Sequence, residues 1–492
     1  MKQLITSVLL LTFSISVYSQ QFSWAKSYEI NMCNEVAALS VDADGNIIIA
    51  GVHNAPASVP YQGNAYIQKT DQAGEVLWNE YLMGNIIVGD MAAVGNNVLI
   101  IGQSNGPFTY QDVEYGSGPY FMFAMMIDAN GNYLWHFTDE AKYGVYSNIS
   151  VGNTENIALH IRNQSNLGDW IIIIDEDGNT LNSKLLSPNN TLAIDIAYYN
   201  DRVYINGGYN GQTSVTIDTI EIVQPPVEHS VFVLALDENL VATWVSEDTT
   251  INNRDGRIVA NEAGIFSYQD VLRTPFTVKN LIKKFDFEGQ LLTEVEAPFF
   301  TTATTPYPDM AATPSMVALF TKNSFNSDSH KVMLFDHDLN VLSEKAIDGA
   351  SSHYSGQIAN YGDDVFVAQV FSGDLNFNNE LTLAYPGGTG NFPYIAEIAS
   401  PEMTGISNEV DETSNLSVYP NPADKMITIS NDKKQVIGGS FSICDLKGNV
   451  VKGGMLNQNS TTIDVSLLPG GVYILKVVLV DGSSRQEKIF VR

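Results

Sequence analysis

Six turns that open on aspartate recur along this 492-residue chain, each between two β-rich runs. They begin at Asp71 (DQAGEVLW), Asp128 (DANGNYLW), Asp175 (DEDGNTLN), Asp237 (DENLVATW), Asp286 (DFEGQLLT) and Asp336 (DHDLNVLS), with separations of 57, 47, 62, 49 and 50 residues. The clearest copy, Phe121–Asp139, reads as a β-hairpin, because an apolar run meets a short turn whose Gly131 tolerates positive φ. A period near 50 with several strands per repeat points to the blades of a β-propeller rather than to a helical solenoid.

Another pair of strands precedes each hairpin. Ala37–Asn54 is the best example, and its counterparts are Met91–Gly106, Ile149–Asn163, Ala193–Gly211, Arg257–Val271, Asp309–Lys322 and Gln357–Gly373. Seven first pairs thus face six complete hairpins, and Phe392–Ser400 supplies only the opening strand of a seventh. The missing partner is at the other end: in Phe22–Ile30, Trp24 takes the place that Trp78, Trp135 and Trp244 hold in their hairpins. The expected fold is all-β: a seven-bladed propeller over residues 20–400 with its last blade closed by the N-terminal strand. Such closure removes an exposed sheet edge.

Composition narrows the function. Lys and Arg number 25 against 55 Asp and Glu, a net charge of -30. That charge argues against nucleic acid and against an anionic membrane surface. Two cysteines at opposite ends, Cys33 and Cys444, exclude a disulfide framework and read as small buried side chains. Lys2 followed by the apolar run Leu4–Val17 reads as a secretory signal peptide over residues 1–19, and no later segment is long enough to span a bilayer. Residues 401–414 are polar and acidic and read as a linker. Beyond it, residues 415–492 carry 9 Lys and Arg against 6 Asp and Glu, and their short strands and turns predict a small β-sandwich.

That last module resembles the type A sorting domain of type IX secretion. The resemblance rests on Val418–Ala423 (VYPNPA), Asp445–Val450 (DLKGNV), Ile463–Tyr473 (IDVSLLPGGVY) and the terminal Lys488–Arg492 (KIFVR). It implies a member of the Bacteroidota, passage through the inner and then the outer membrane, and the type IX machinery as partner of residues 415–492. In that family the module is usually removed and the cargo released or attached to surface lipopolysaccharide. The repeats are similar, more loosely, to bacterial surface β-propeller repeats, which carry no defined activity.

Each motif with chemical potential has a structural competitor. Gly102-Gln103-Ser104-Asn105-Gly106 matches G-x-S-x-G, but that elbow needs a strand-to-helix turn, whereas Pro107 and a β-like segment follow Ser104. Asp42–Asn46 and Asp175–Asn179 offer oxygen ligands for calcium, yet glycine stands fourth rather than sixth, and Asp, Asn and Gly are what tight turns require. The Asp-x6-Trp spacing at Asp71/Trp78, Asp128/Trp135 and Asp237/Trp244 resembles quinoprotein propellers, which implies tryptophans that lock neighbouring blades and no quinone. No sialidase-type S-x-D-x-G-x-T-W box is present, the histidines, His330 and His337 included, show no metal-ligand spacing, and no carboxylate pair stands out. No catalytic, cofactor or metal residue emerges.

The insertions Gly106–Pro119, Gly211–Glu228 and Gly373–Pro393 read either as plain connections or as rim loops holding a glycan or protein ligand. The expected role is non-catalytic binding or adhesion outside the cell. The alternatives are an extracellular hydrolase or lyase acting on polysaccharide, marked by carboxylates with a His or Arg at one rim, and a structural surface component.

Overall fold

The computed structural model describes residues 20–400 and 416–491, except 31, 57, 60–61, 140–146, 155, 164–167, 187–190, 210–213, 223–228, 251–255, 274–276, 298–307, 323–328, 352–355, 388–389, 424, 432–439, 445–449, 457, 459, 467 and 479–483. The signal-peptide and linker readings fall outside the described residues. The chain divides into two compact units, Met1–Ser400 and Pro401–Arg492, and both are all-β.

Within the first unit, antiparallel strands pair in seven successive groups of four. Group 1 holds Cys33–Val41, Ile47–His53, Gly63–Thr70 and the first part of Val76–Val94. Group 2 takes the second part of that strand, then Asn97–Ser104, Phe121–Ile127 and Tyr133–Asp139. Groups 3, 4 and 5 start at Ser147–Val151, Thr191–Tyr199 and Gly256–Asn261 and end at Thr180–Leu185, Ala242–Thr250 and Leu291–Glu296. Group 6 runs from Asp309–Ala312 to Val341–Ser351. Group 7 contains Gln357–Tyr361, Asp364–Phe377 and Phe392–Ala399, and its fourth strand is Gln21–Ser27 from the start of the described chain.

Burial explains the strand sequences. Middle strands such as Ile47–His53 and Phe121–Ile127 are buried along their whole length, so both faces must be apolar. Fourth strands such as Thr180–Leu185 are half exposed and correspondingly mixed. The core lies between groups: Leu99, Ile101 and Met122 of group 2 pack with Ile157, Leu159 and Ile172 of group 3. Likewise Phe366, Ala368 and Ile395 of group 7 pack with Val36, Ile49 and Tyr66 of group 1.

The recurrent turns have one chemistry. In each, the aspartate carboxylate accepts the amide four residues on: Glu75, Asn132, Asn179, Val241, Gln290 and Asn340 donate to Asp71, Asp128, Asp175, Asp237, Asp286 and Asp336 over 2.7–2.8 Å. The fourth turn residue has positive φ throughout, but its identity follows the preceding group. Where that group's fourth strand carries tryptophan, the turn has glycine: Trp24 faces Gly74, Trp78 faces Gly131, Trp135 faces Gly178 and Trp244 faces Gly289. Three of the indoles also donate Nε1–H to a carbonyl of that turn, those of Ala129, Glu176 and Phe287, at 2.8–3.2 Å. Where Asn182 or Thr293 occupies the tryptophan position, the turn has Leu240 or Leu339 instead. Both leucines accept left-handed φ (58° and 64°) and bury against Ile171 and Ile173, or against Phe266 and Ile282, of the preceding group.

The described parts of the insertions form short hairpins. Phe108–Tyr110 pairs with Val113–Tyr115, Val215–Ile217 with Ile220–Ile222, and the end of Asp364–Phe377 with Leu381–Leu383. Each hairpin buries apolar residues, among them Phe108, Tyr110, Ile217, Ile222 and Phe377. Their tips hold the preceding group's outer strand: Asp218 pairs with Lys184, and Glu380 with Lys345 at 2.7 Å while accepting the amide of Phe22.

In the second unit, strands Leu416–Tyr419, Met426–Asn431 and Ser460–Asp464 form one sheet, and Ser440–Cys444, Val450–Met455, Gly471–Val478 and Ser484–Val491 form another. Ile427, Ile429 and Ile463 of the first share a core with Ile443, Leu475 and Ile489 of the second. The strand Val450–Met455 carries two glycines and one pair of valines, a weak β signal.

Candidate functional site

A cavity of about 570 Å³ is lined by the first strands of all seven groups. Six polar side chains occupy corresponding points on its wall: Asp90, Asn148, Asp195, Arg257, Asp309 and Gln357. Bulges precede two of them, between Val88 and Asp90 and between Ala193 and Asp195; such an extra residue re-aims the side chain that follows.

The three carboxylates hold the wall together. Asp90 Oδ2 accepts the amide of Ile149 at 2.7 Å, Asp195 Oδ2 that of Ile258 at 2.9 Å, and Asp309 Oδ2 that of Ile358 at 2.9 Å. Each bond joins a first strand to the next group's first strand, whose amide would otherwise lie against a neighbour without an acceptor. Ser40 and Ser150 do the same between groups 1 and 2 and groups 3 and 4, accepting from Ala93 and Tyr198 at 2.9 and 2.8 Å. The second oxygens are engaged as well. Asp90 Oδ1 accepts Met91 N at 2.7 Å, Asp195 Oδ1 accepts Asn148 Nδ2 at 3.3 Å, and Asp309 Oδ1 accepts Met310 N and Arg257 Nε at 3.0 and 3.3 Å.

Burial disfavours the charged form of these acids. It pushes Asp90 up to about 7 and, against the pull of Arg257 and of the Ile258 amide, Asp195 up to about 6. Asp309 is raised by burial too, with Arg257 opposing. Behind the wall, His160 and Asp169 are 0% and 1% exposed. The imidazole reaches Asn148 Oδ1 through Nδ1 and Asp169 Oδ1 through Nε2, both at 3.0 Å, and Asp169 Oδ2 accepts Ala193 N at 3.0 Å.

Sequence reasoning missed this set. The carboxylates recur in every second group, each just before a buried apolar residue of the first strand (Met91, Ile196 or Met310), but among 55 acidic residues three such positions do not announce themselves. Only the first-strand repeats laid over one another would have shown it.

The sequence-derived candidates fall elsewhere. Ser104 is buried, donates to Gly106 O at 2.6 Å, and is followed by strand Phe108–Tyr110 instead of a helix. Asp42 is buried against Lys69 Nζ at 2.7 Å, and its Oδ1 also accepts the amides of Asp44 and Asn46, so an ammonium and turn amides already engage the proposed calcium ligand. Asp175 caps its turn through Asn179. His330 is buried beside Gln369 and Phe320, and burial lowers its pKa to about 3. His337 contacts Thr313 O at 3.1 Å. Cys33 is buried, and burial pushes its thiol up to about 12. Among the described residues, no three His, Cys, Asp or Glu are arranged to hold a metal, and no helix is long and apolar enough to cross a membrane.

Residues 417–492 match the family described as "Secretion system C-terminal sorting domain". The chain is therefore a secreted protein of the Bacteroidota type, exported by type IX secretion to the cell surface or extracellular space, and its tail engages that machinery. No curated protein matches the chain significantly. Among solved structures it is similar to the polysaccharide lyase Uly1 (8% identity, TM-score 0.44, covering 77% of this chain and 92% of that one). It is also similar to a neuraminidase-like protein from a little yellow-shouldered bat isolate (8%, 0.35, 77% and 100%) and to the plexin A4 extracellular region (9%, 0.39, 93% and 66%). Likenesses of this size establish neither fold nor activity.

Proposed function

We propose that residues 20–400 form a closed seven-bladed β-propeller and serve a non-catalytic binding or adhesion role outside the cell. Residues 1–19 act as signal peptide, 401–414 as linker and 415–492 as a small β-sandwich that carries the sorting signal. Closure is supported by the pairing of Gln21–Ser27 with Phe392–Ala399 and by the core that groups 7 and 1 share. The observation that carries the binding role is the structural engagement of both oxygens of each cavity acid. Asp90, Asp195 and Asp309 each spend both oxygens on strand amides, Asn148 or Arg257, which leaves them as fastenings. The expected ligand is a glycan or protein held on the outer surface.

One observation favours a polysaccharide-acting enzyme as the second reading: Asp90 and Asp195, raised to about 7 and about 6, line one cavity with Arg257. A glycan-array and polysaccharide-digestion screen of the secreted full chain separates the two. Binding without turnover supports the first. Turnover abolished by Asp195→Asn establishes the second. Neither binding nor turnover on any glycan, with no protein partner captured by cross-linking at the cell surface, refutes both.

A further inference from the structure

Resting on the binding role proposed above, we infer that the outer edge of group 2 is a platform for the uncharged sugar units of a neutral polysaccharide, built from Tyr115, Tyr133 and His136. The three rings meet: Tyr115 lies 5.4 Å from Tyr133 and 4.8 Å from His136, the latter in an edge contact, and Tyr133 lies 5.8 Å from His136. Two belong to the fourth strand, Tyr133–Asp139, and the third ends the inserted strand Val113–Tyr115. Residues three apart on a regular strand point to opposite faces, but the bulge between Tyr133 and Trp135 brings Tyr133 and His136 to the same one. Phe108 stacks on Tyr115 at 5.6 Å and holds its ring in place. The bulge recurs in the fourth strand of every group, so the scaffold is shared and the rings are not. No other group has rings at both strand positions: group 1 has Val76 and Asn79, group 7 Phe22 and Ala25. The inserted hairpins of groups 4 and 7 end in Ile222 and Leu383 where that of group 2 ends in Tyr115.

The polar atoms of this cluster are left for a ligand. Tyr115 is only 7% exposed, and a tyrosine so placed ordinarily gives its hydroxyl a protein partner. Among the described residues neither that hydroxyl nor Nε2 of His136 has one, and neither atom is sealed from solvent. Tyr133, 37% exposed, meets His136 Nδ1 with its own hydroxyl at 2.9 Å, which leaves Nε2 as the imidazole's second hydrogen-bonding atom. Rigid ring surface bordered by a hydroxyl and an imidazole suits a sugar: its C–H faces lie on the rings while its hydroxyls bond Tyr115 Oη and His136 Nε2. Charge narrows the choice. From Thr70 to Ala141 the sequence has no Lys or Arg, so a uronate, sulfate or sialate would find no cation to pair with. A cationic partner would find no counter-charge either. Burial alone lowers His136, and burial with the neighbouring Tyr133 raises Tyr115, with no carboxylate acting on either ring.

The test is binding of the secreted full chain to immobilised neutral polysaccharides (β-glucan, xylan, mannan, galactan) and acidic ones (alginate, polygalacturonate, heparin), followed by calorimetric titration with oligosaccharides of the polymer bound best. A neutral polymer is expected to bind. Tyr133→Ala should weaken it about tenfold, and Tyr133→Trp should restore it. Tyr115→Phe, which removes one oxygen and keeps the packed ring, should weaken it about fivefold. Leu134→Ala on the same strand should leave it unchanged, and melting temperatures should match the wild type throughout. Should Tyr133→Ala fold poorly, Tyr115→Phe and His136→Gln carry the same test. Neutral-polymer binding at full strength in every variant that folds overturns the platform and leaves the binding role standing. Binding confined to acidic polymers or to a protein overturns the ligand class. A chain that binds no polysaccharide and no protein overturns the binding role and the platform with it.

Discussion

Replacing the turn glycines by alanine gives a graded test of how adjacent groups lock. A methyl at Gly289 would lie 2.5 Å from Trp244 Cδ2, at Gly74 2.9 Å from Trp24, at Gly178 3.0 Å from Trp135, and at Gly131 no closer than 3.2 Å to Glu80 and 3.4 Å to Trp78. At Gly95 and Gly362 it would meet nothing within 4 Å. All six have left-handed φ, between 56° and 89°, so all share a backbone cost of about 1 kcal/mol for alanine. Gly289→Ala must also push the indole aside. That adds an overpacking cost of roughly 1–3 kcal/mol and puts at risk the Trp244 bond to Phe287 O, worth about 1 kcal/mol. The expected losses are about 3–4 kcal/mol at Gly289, about 2–3 at Gly74 and Gly178, less at Gly131, and about 1 at Gly95 and Gly362. Chemical denaturation followed by tryptophan fluorescence reads the order directly, and a Gly289→Ala midpoint no lower than that of Gly95→Ala would refute the reasoning. The chain also supplies a rescue. Gly289→Leu should be severely destabilising alone and partly restored by Trp244→Thr, the pair already used at Thr293 and Leu339, with a coupling of about 1–3 kcal/mol in the double-mutant cycle.

Burial raises Asp90 from its usual 3.8 to about 7, so the folded chain holds a proton that the unfolded chain releases. Its contribution to stability is full below about pH 4 and is lost as pH rises to about 7, and melting curves should show this fall flattened in Asp90→Asn. Lys69→Ala strands the buried Asp42 carboxylate and should cost about 3–5 kcal/mol, whereas a chelator should leave the melting temperature unchanged; a chelator-induced drop would return calcium to Asp42. Deleting residues 21–27 removes the partner of Phe392–Ala399 and the Phe22–Phe377 contact, and should lower the melting temperature far more than deleting residues 415–492. Cells expressing the latter deletion should retain the protein in the periplasm, as fractionation would show.

The hairpins were legible because a tight turn imposes its own chemistry: six aspartates take the same amide, and the flanking apolar runs follow from burial on two faces. Trp24 could be matched to Trp78 across more than 50 residues for the same reason, since each fills one slot against a turn. What stayed hidden depends on neighbours distant in the chain. Asp195 meets Ile258, 63 residues on, and His160 meets Asn148 and Asp169, each on a different strand of group 3. The insertions stayed ambiguous because Gly, Asn and Thr mark turns whether a hairpin projects from the scaffold or packs on it. Only the buried alternation of Phe108, Tyr110 and Tyr115 distinguishes the two.

The exchange of tryptophan facing glycine for asparagine or threonine facing leucine bears on how such a chain can change over generations. Groups 1 and 2, with glycine in the turn and tryptophan in the outer strand, could be duplicated or lost as blocks, but groups 3, 4 and 5 could not without setting an indole against a leucine or leaving a hollow between a small residue and a glycine. The portion that can be copied safely runs from the outer strand of one repeat through the turn of the next, carrying both halves of the match. For groups 3 to 5 the self-consistent unit is therefore out of phase with the architecture, and its borders lie inside the sheets.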